Sequence, residues 1–236
     1  MSISRGPKIV KDGLVLCVDA ADYNSYVPTG TLWKDLTPNN SNGVFSGTAL
    51  LPTYNSNNKG NIQINGSGSC INFGSALNFT GGGFSFNQWS YFTTLSGTVS
   101  GQNSPLFWKG LFNSNGYYFS LNTNGNLIYN SYQAGASQQT NINNNTIRTG
   151  TWYNISVTSS GSSVRIYLNG VDRTVTAGTH INPASSSSPF LLGQYGSPAS
   201  FNSSGSFAMF AAYNKALSPV EVLQNYNALK GRFNLT

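Results

Sequence analysis

Hydrophobic and polar positions alternate most strictly between positions 152 and 170. Tyr153, Ile155 and Val157, then Val164, Ile166 and Leu168, take every second place, with Asn154, Ser156, Thr158, Arg165 and Tyr167 between them. Successive side chains of an extended chain point to opposite faces, so a period of two predicts two half-buried strands. The link 159–163 holds Gly161 and nothing large, which predicts an antiparallel hairpin; Asn169-Gly170 ends it, since both residues reach positive φ at low cost. A hairpin alone is marginal in water, so a second sheet must cover its apolar face.

Shorter segments of the same kind run along the chain. Segment 13–19 is apolar on both faces, with Leu14, Leu16 and Val18 against Val15 and Cys17, and predicts a strand covered on both sides. Further strands are predicted at 44–45, 62–64, 70–73, 106–108, 117–121, 127–129, 190–193 and 206–212. In 84–92, Phe84, Phe86, Trp89, Tyr91 and Phe92 crowd both faces, which places that strand deep in a sheet. Asn115-Gly116 is expected to link two of these strands, and 122–126 to turn between the next two. Segments 55–61 and 142–145 have no periodicity and read as surface loops. Only the C-terminal stretch changes period: Ser218 as N-cap, Pro219 as first residue, Glu221 as reciprocal cap and a Val222, Leu223, Tyr226, Leu229 stripe predict a helix that Gly231 ends. The pattern is that of an all-β, two-sheet antiparallel sandwich with one short C-terminal helix: an extended arm over 1–12, then a single domain over 13–236.

Composition changes this picture in one respect. Charged residues are 8% of the chain against roughly 25% in ordinary soluble domains, so its surface must interact through amides, hydroxyls and rings rather than ion pairs. The formal charge of +6 is scattered, with mild grouping at Arg5, Lys8 and Lys11 and at Lys215, Lys230 and Arg232. No basic stripe interleaves with aromatics, which argues against nucleic acid. If the two chain ends lie side by side, these groups would share one patch. Cys17 and Cys70 are too few for a disulfide framework and read as reduced core residues. No apolar run is long enough to span a membrane and none near the start forms a secretion signal, although the Asn-rich composition suits an exposed adhesive surface. Assembly inside a cell followed by display on a particle reconciles the two.

Taken in order, GLVLCVDA, WKDLTPNNSNG, INGSGSCINFG, FSFNQW, WYNISVT with VRIYLNG, and AAYNKALSPVEVLQNY resemble the laminin-G-like branch of the concanavalin A-like lectin and glucanase superfamily. The opening GPKIVKDGLVL with DAADYNSY is similar to jelly-roll modules in structural proteins of tailed bacteriophages. The resemblance implies a two-sheet antiparallel jelly roll, a place in the virion among other virion proteins and further copies of this chain, no membrane, and host surface glycans as a ligand. Attachment would fall to Arg5, Lys8 and Lys11. For carbohydrate, which needs a flat ring and polar rim groups, the candidates are Tyr23, Tyr26, Trp33 and Tyr195, whereas Trp89 and Trp152 are expected to be core. Calcium is the cofactor the resemblance offers, with Asp19, Asp22 and Asp35 as candidate ligands and Asp35 foremost. Hydrolysis is not expected: glycosidases need two facing carboxylates, the chain has six acids, and the aromatic strand that would carry the pair has none. Lone His180 reads as a surface-loop residue. A lectin-like module with no particle is the alternative reading.

Overall fold

The computed structural model describes residues 7–64, 68–97, 103–196, 202–203 and 205–236. In chain order its strands are β1 (Leu14–Asp19), β2 (Leu32–Trp33), β3 (Gly43–Ser46), β4 (Thr53–Asn55), β5 (Asn61–Gln63), β6 (Cys70–Asn72), β7 (Gly83–Phe92), β8 (Ser104–Leu111) and β9 (Asn115–Leu121). There follow β10 (Leu127–Gln133), β11 (Ala136–Ile142), β12 (Trp152–Ser160), β13 (Ser163–Leu168), β14 (Val171–Asp172), β15 (Thr174–Ala177), β16 (Phe190–Leu192), β17 (Gly205–Tyr213) and the helix α1 (Pro219–Leu229). They form two antiparallel sheets. One has the order β14-β13-β12-β7-β17-β5-β4, and β1 lies end to end with β5 along the same edge of β17. The other has the order β15-β11-β10-β9-β8-β16-β6-β3-β2.

The sheets close on an aromatic interior. Phe84 and Phe86 of β7 meet Phe107, Tyr117 and Phe190 of the facing sheet, with Phe86 and Phe107 4.5 Å apart at their ring centres. Each such ring contributes about 1.5–3 kcal/mol by leaving water. The expected hairpin of β12 and β13 is present, with Ile155 opposite Leu168 and Val157 opposite Ile166, and its apolar positions all enter this interior. The polar positions of β12 are not in water, however: Asn154, Ser156 and Thr158 are buried as well, while Arg165 of β13 is exposed. The outer face of this sheet carries a second apolar layer, in which Val222, Tyr226 and the segment after α1 pack on Trp89, Met209 and Tyr213. Beneath it, Asn87 Nδ2 donates to Asn154 Oδ1 at 3.1 Å and to Ser156 Oγ at 2.7 Å, so the buried amides keep their hydrogen bonds.

The capping box of α1 is as expected, with Ser218 N donating to Glu221 Oε2 at 2.9 Å and Glu221 N donating to Ser218 Oγ at 3.3 Å. Gly231 does not end the winding. A 3₁₀ turn over Lys230–Phe233 continues to Asn234 at φ 55°, and this delivers Phe233 onto Trp89, ring centres 4.1 Å apart and nearly parallel. The arm is docked from Lys8 onward: Val10 N donates to Asn225 Oδ1 at 2.8 Å and Gln224 Nε2 to the Lys8 carbonyl at 2.8 Å. The chain ends therefore do meet, but their charges are partly cancelled, since Lys215 bridges Asp12 and Glu221 while Arg232 holds Asp19. Lys8 and Lys11 remain exposed; Arg5 lies outside the described residues.

Two local expectations shift. The β8–β9 hairpin turns at 112–114, and Asn115-Gly116 is already strand. Gly110 and Gly116 face each other there at φ 119° and 76°, where a Cβ on either would strike the partner backbone. Strand β11 was unforeseen because all but its end residues, Ala136 and Ile142, are polar; it pairs antiparallel with β10, and His180 ties Ser131 of β10 to Thr140 of β11.

Candidate functional site

On the outer face of the helix-bearing sheet, four residues from four neighbouring strands stand in one transverse row. Trp152 of β12 pairs Tyr91 of β7, Tyr91 pairs Ser206 of β17, and Ser206 pairs Gln63 of β5. Directly opposed residues share a face, and Trp152 packs on Phe233 outside the sheet, so the whole row looks outward. Three strand spacings make it ~14 Å long. Trp89, two residues before Tyr91 and on the same face, lies wholly beneath Phe233 and Tyr226. Tyr91 and Trp152, 5.5 Å apart and inclined at 46°, are only half covered.

The segment 55–61, expected as a plain loop, is the wall of this floor. Asn55, Asn57, Asn58 and Asn61 rise beside the row and, with Thr93 at the end of β7, enclose a pocket of about 280 Å³. A 3₁₀ turn over Asn57–Lys59 places them, with Asn55 Oδ1 accepting from Asn57 N at 2.8 Å and Asn61 Nδ2 donating to the Asn57 carbonyl at 3.0 Å. Behind the turn, Arg232 donates from Nε to the Asn58 carbonyl at 2.6 Å, from Nη1 to Asp19 Oδ1 at 2.6 Å and from Nη2 to the Gly60 carbonyl. Asn58 Nδ2 returns a bond to the Arg232 carbonyl at 3.2 Å. The side-chain amides of Asn57 and Gln63 have no partner among the described residues.

Five amides and two hydroxyl side chains thus surround two rings, and no ionised side chain lines the pocket. Amides and hydroxyls offer donors and acceptors together, and the rings offer a flat apolar surface. This combination can hold a polyol lying on its apolar side. It has no group placed for proton transfer.

The residues singled out in the sequence are not brought together here. Tyr26 is core, stacked between Phe45 and Tyr54, with its hydroxyl donating to the Gly30 carbonyl at 2.8 Å. Trp33 is fully buried between the sheets, and Tyr23 stands alone in solvent. Both buried rings fail as ligand surfaces for the same reason: Tyr26 in its loop and Trp33 on β2 both belong to the core between the sheets. Tyr195 is half-buried on the opposite side of the molecule, against Trp108 at 5.1 Å and Tyr118 at 5.6 Å. Phe112 and Tyr132 complete that group, but the rings cover one another. Trp108 and Tyr132 are buried and only Phe112 is freely exposed. Burial pushes the Tyr118 and Tyr195 hydroxyls up, and that of Tyr132 to about 12.

The acids are also dispersed. Asp35 Oδ1 accepts from Cys17 N and Thr37 N, both at 2.9 Å, and its Oδ2 from Thr37 Oγ1 at 2.8 Å and Ser41 N at 3.0 Å, so it organises its own loop. Asp19 serves Arg232, and Asp22 accepts from Asn24 N at 2.9 Å. Among the described residues no three acid, histidine or cysteine side chains converge to hold a metal ion. His180 is buried rather than on a surface loop, its ring nitrogens 2.7 Å from Ser131 Oγ and 2.7 Å from Thr140 Oγ1. Cys17 and Cys70 are free and buried, in separate clusters.

What the sequence reading missed is the wall and the row. The amide density of NSNNKGNIQ was the available signal for the first. The second depends on strand registry, which no local pattern carries.

A laminin G model, described as Concanavalin A-like lectin/glucanases superfamily, matches residues 65–223. The chain belongs to the concanavalin A-like lectin/glucanase superfamily. No curated protein sequence matches it. Among solved structures it is similar to the Trypanosoma rangeli sialidase, at 16% identity and TM-score 0.65, over 95% of this chain and 34% of that one. It is similar also to the binding domain of Paraclostridial Mosquitocidal Protein 1, at 16% identity and TM-score 0.69, over 92% of this chain and 52% of that one. A third likeness is to the ligand binding domain of botulinum neurotoxin serotype D in complex with N-acetylneuraminic acid, at 13% identity and TM-score 0.67, over 91% and 50%. The chain thus spans about a third to a half of these proteins, and identities this low establish a shared fold. Within the superfamily match lie Tyr91, Trp152 and Ser206 of the floor, whereas the wall at 55–63 and the Arg232-Phe233 support lie outside it.

Proposed function

We propose that this jelly roll is a non-enzymatic structural protein of a tailed-phage particle that adheres to host glycans through the amide-lined pocket on its helix-bearing sheet. One observation carries the reading: a transverse row of Trp152, Tyr91, Ser206 and Gln63 walled by four asparagines, with two half-exposed rings and unused amides. The superfamily includes lectins, and the toxin domain that shares the fold was solved with a sialic acid bound. Against catalysis stands the occupation of the acids: Asp12 and Glu221 face Lys215, Asp19 faces Arg232, Asp172 faces Arg165, and Asp35 is hydrogen-bonded by its own loop. The exposed Lys8 and Lys11 give an attachment side for neighbouring virion proteins and further copies of the chain.

A glycan array probed with the native chain and with Trp152→Ala tests the adhesive part. Binding by the native chain that survives a chelator and is lost in the variant is expected; no binding to any glycan would leave a bare scaffold. Release of reducing sugar above background would overturn the non-enzymatic part. Electron microscopy of particles labelled by an antibody to this chain tests the virion, and unlabelled particles would remove it.

A further inference from the structure

The guanidinium of Arg232 stands directly behind the pocket wall and is turned away from the pocket. A guanidinium fork suits a carboxylate or sulfate better than any other side chain. Here the fork is spent within the protein, on Asp19 Oδ1 and on the carbonyls of Asn58 and Gly60, and the side chain is only 5% exposed. What it holds is an unfavourable backbone: Asn58 and Lys59 sit at φ 53° and 66°, followed by Gly60 at 130°. Two consecutive non-glycine residues in the left-handed region persist only where the surroundings enforce it. The enforced turn is the one that presents Asn57 and Asn58 to the pocket.

The pocket itself holds no charge of either sign. An acidic sugar would bring an anion to amides and hydroxyls without a cation to meet it, and a buried charge left unpaired is strongly disfavoured. Neutral hydroxyl and acetamido groups pair with amide donors and acceptors alike. The ~14 Å row is longer than one sugar ring and matches a short linked chain better than a free monosaccharide.

We propose that the ligand is an uncharged oligosaccharide and that Arg232 is a positioning residue that holds the 57–60 turn for it without touching it. The inference rests on the glycan-binding reading above. It also separates this pocket from the sialic-acid ligand of the fold's toxin relative.

The test is an affinity series on neutral hexose and N-acetylhexosamine oligosaccharides beside sialylated and sulfated forms of the same backbones, with native chain, Trp152→Ala and Arg232→Lys. Neutral chains are expected to bind at least tenfold better than acidic ones, and Trp152→Ala to abolish this. Arg232→Lys keeps a cation beside Asp19 but cannot reach three acceptors; it is expected to lose about tenfold in affinity with the neutral-over-acidic ratio unchanged. Should that variant not fold, Asp19→Asn removes the ion pair alone and is expected to lose about threefold. Acidic chains bound equally well or better through Trp152 would overturn the neutral assignment and leave glycan binding standing. Full affinity in Arg232→Lys, or in Asp19→Asn where it is the variant used, would overturn the positioning role, as would a changed ratio. No glycan bound at all, or binding indifferent to Trp152→Ala, would instead sink the reading beneath it.

Discussion

Trp89 and Trp152 stand on the same outer face of the same sheet, on paired strands, and share one neighbour. Phe233 stacks on Trp89 at 4.1 Å and leans on Trp152 at 4.8 Å. Tyr226 also stacks on the first, which is fully buried, whereas the second stays partly exposed. One indole is therefore a strut and the other a surface. Neither ring differs in chemistry; the difference is how far the C-terminal segment reaches. Aromatic residues in such a sheet become available to a ligand where their cover stops, and the amide wall begins at that point.

That contrast can be broken in graded steps. Trp89→Ala should cost most, ~3–5 kcal/mol, because it empties a fully buried site beneath two rings. In urea titrations the variant should unfold early, with glycan affinity preserved in whatever fraction stays folded. Phe233→Ala should cost somewhat less, ~2–4 kcal/mol by the same cavity argument, and should weaken both stability and binding, because Phe233 supports both indoles. Trp152→Ala should cost less, ~1–2 kcal/mol, as the ring is already partly in water, yet lower glycan affinity at least tenfold by calorimetry. If Trp152→Ala instead destabilised as much as Trp89→Ala, the division into strut and surface would fail.

Acid separates stability from binding in another way. Burial between Ser131 and Thr140 pushes His180 down from 6.5 to about 4. Its folded value lies below its unfolded one, so the unfolded chain takes up this proton first. The stabilisation is complete above pH 6.5 and is lost as pH falls toward 4. Urea midpoints should drop across that window in the native chain and stay flatter in His180→Gln. The pocket is lined by no acid, amine or histidine, so affinity of the folded protein should hold over the same range.

The layers were legible because they rest on local rules. Period-two alternation placed β12 and β13 as a hairpin, and Ser218, Pro219 and Glu221 placed the start of α1. The end of α1 was not legible: the pull on the chain past Gly231 comes from Trp89, more than 140 positions earlier in sequence. Nor was the burial of Tyr26 and Trp33, since a ring in a turn-rich loop or a two-residue strand looks the same in sequence whether it points outward or between the sheets.

From residue order alone came an all-β sandwich, its aromatic interior, its helix and the poverty of charge that favours polyol chemistry over proton transfer. Alternation and capping act over a few residues, so no knowledge of distant partners was needed. The pocket belongs to the tertiary structure. Its floor requires four strands in one register, its wall requires Arg232 to cross some 170 positions to Asn58, and its openness requires the C-terminal cover to stop at Phe233. Registry and cover are set by summed packing across both sheets, a quantity that no single stretch of the chain contains.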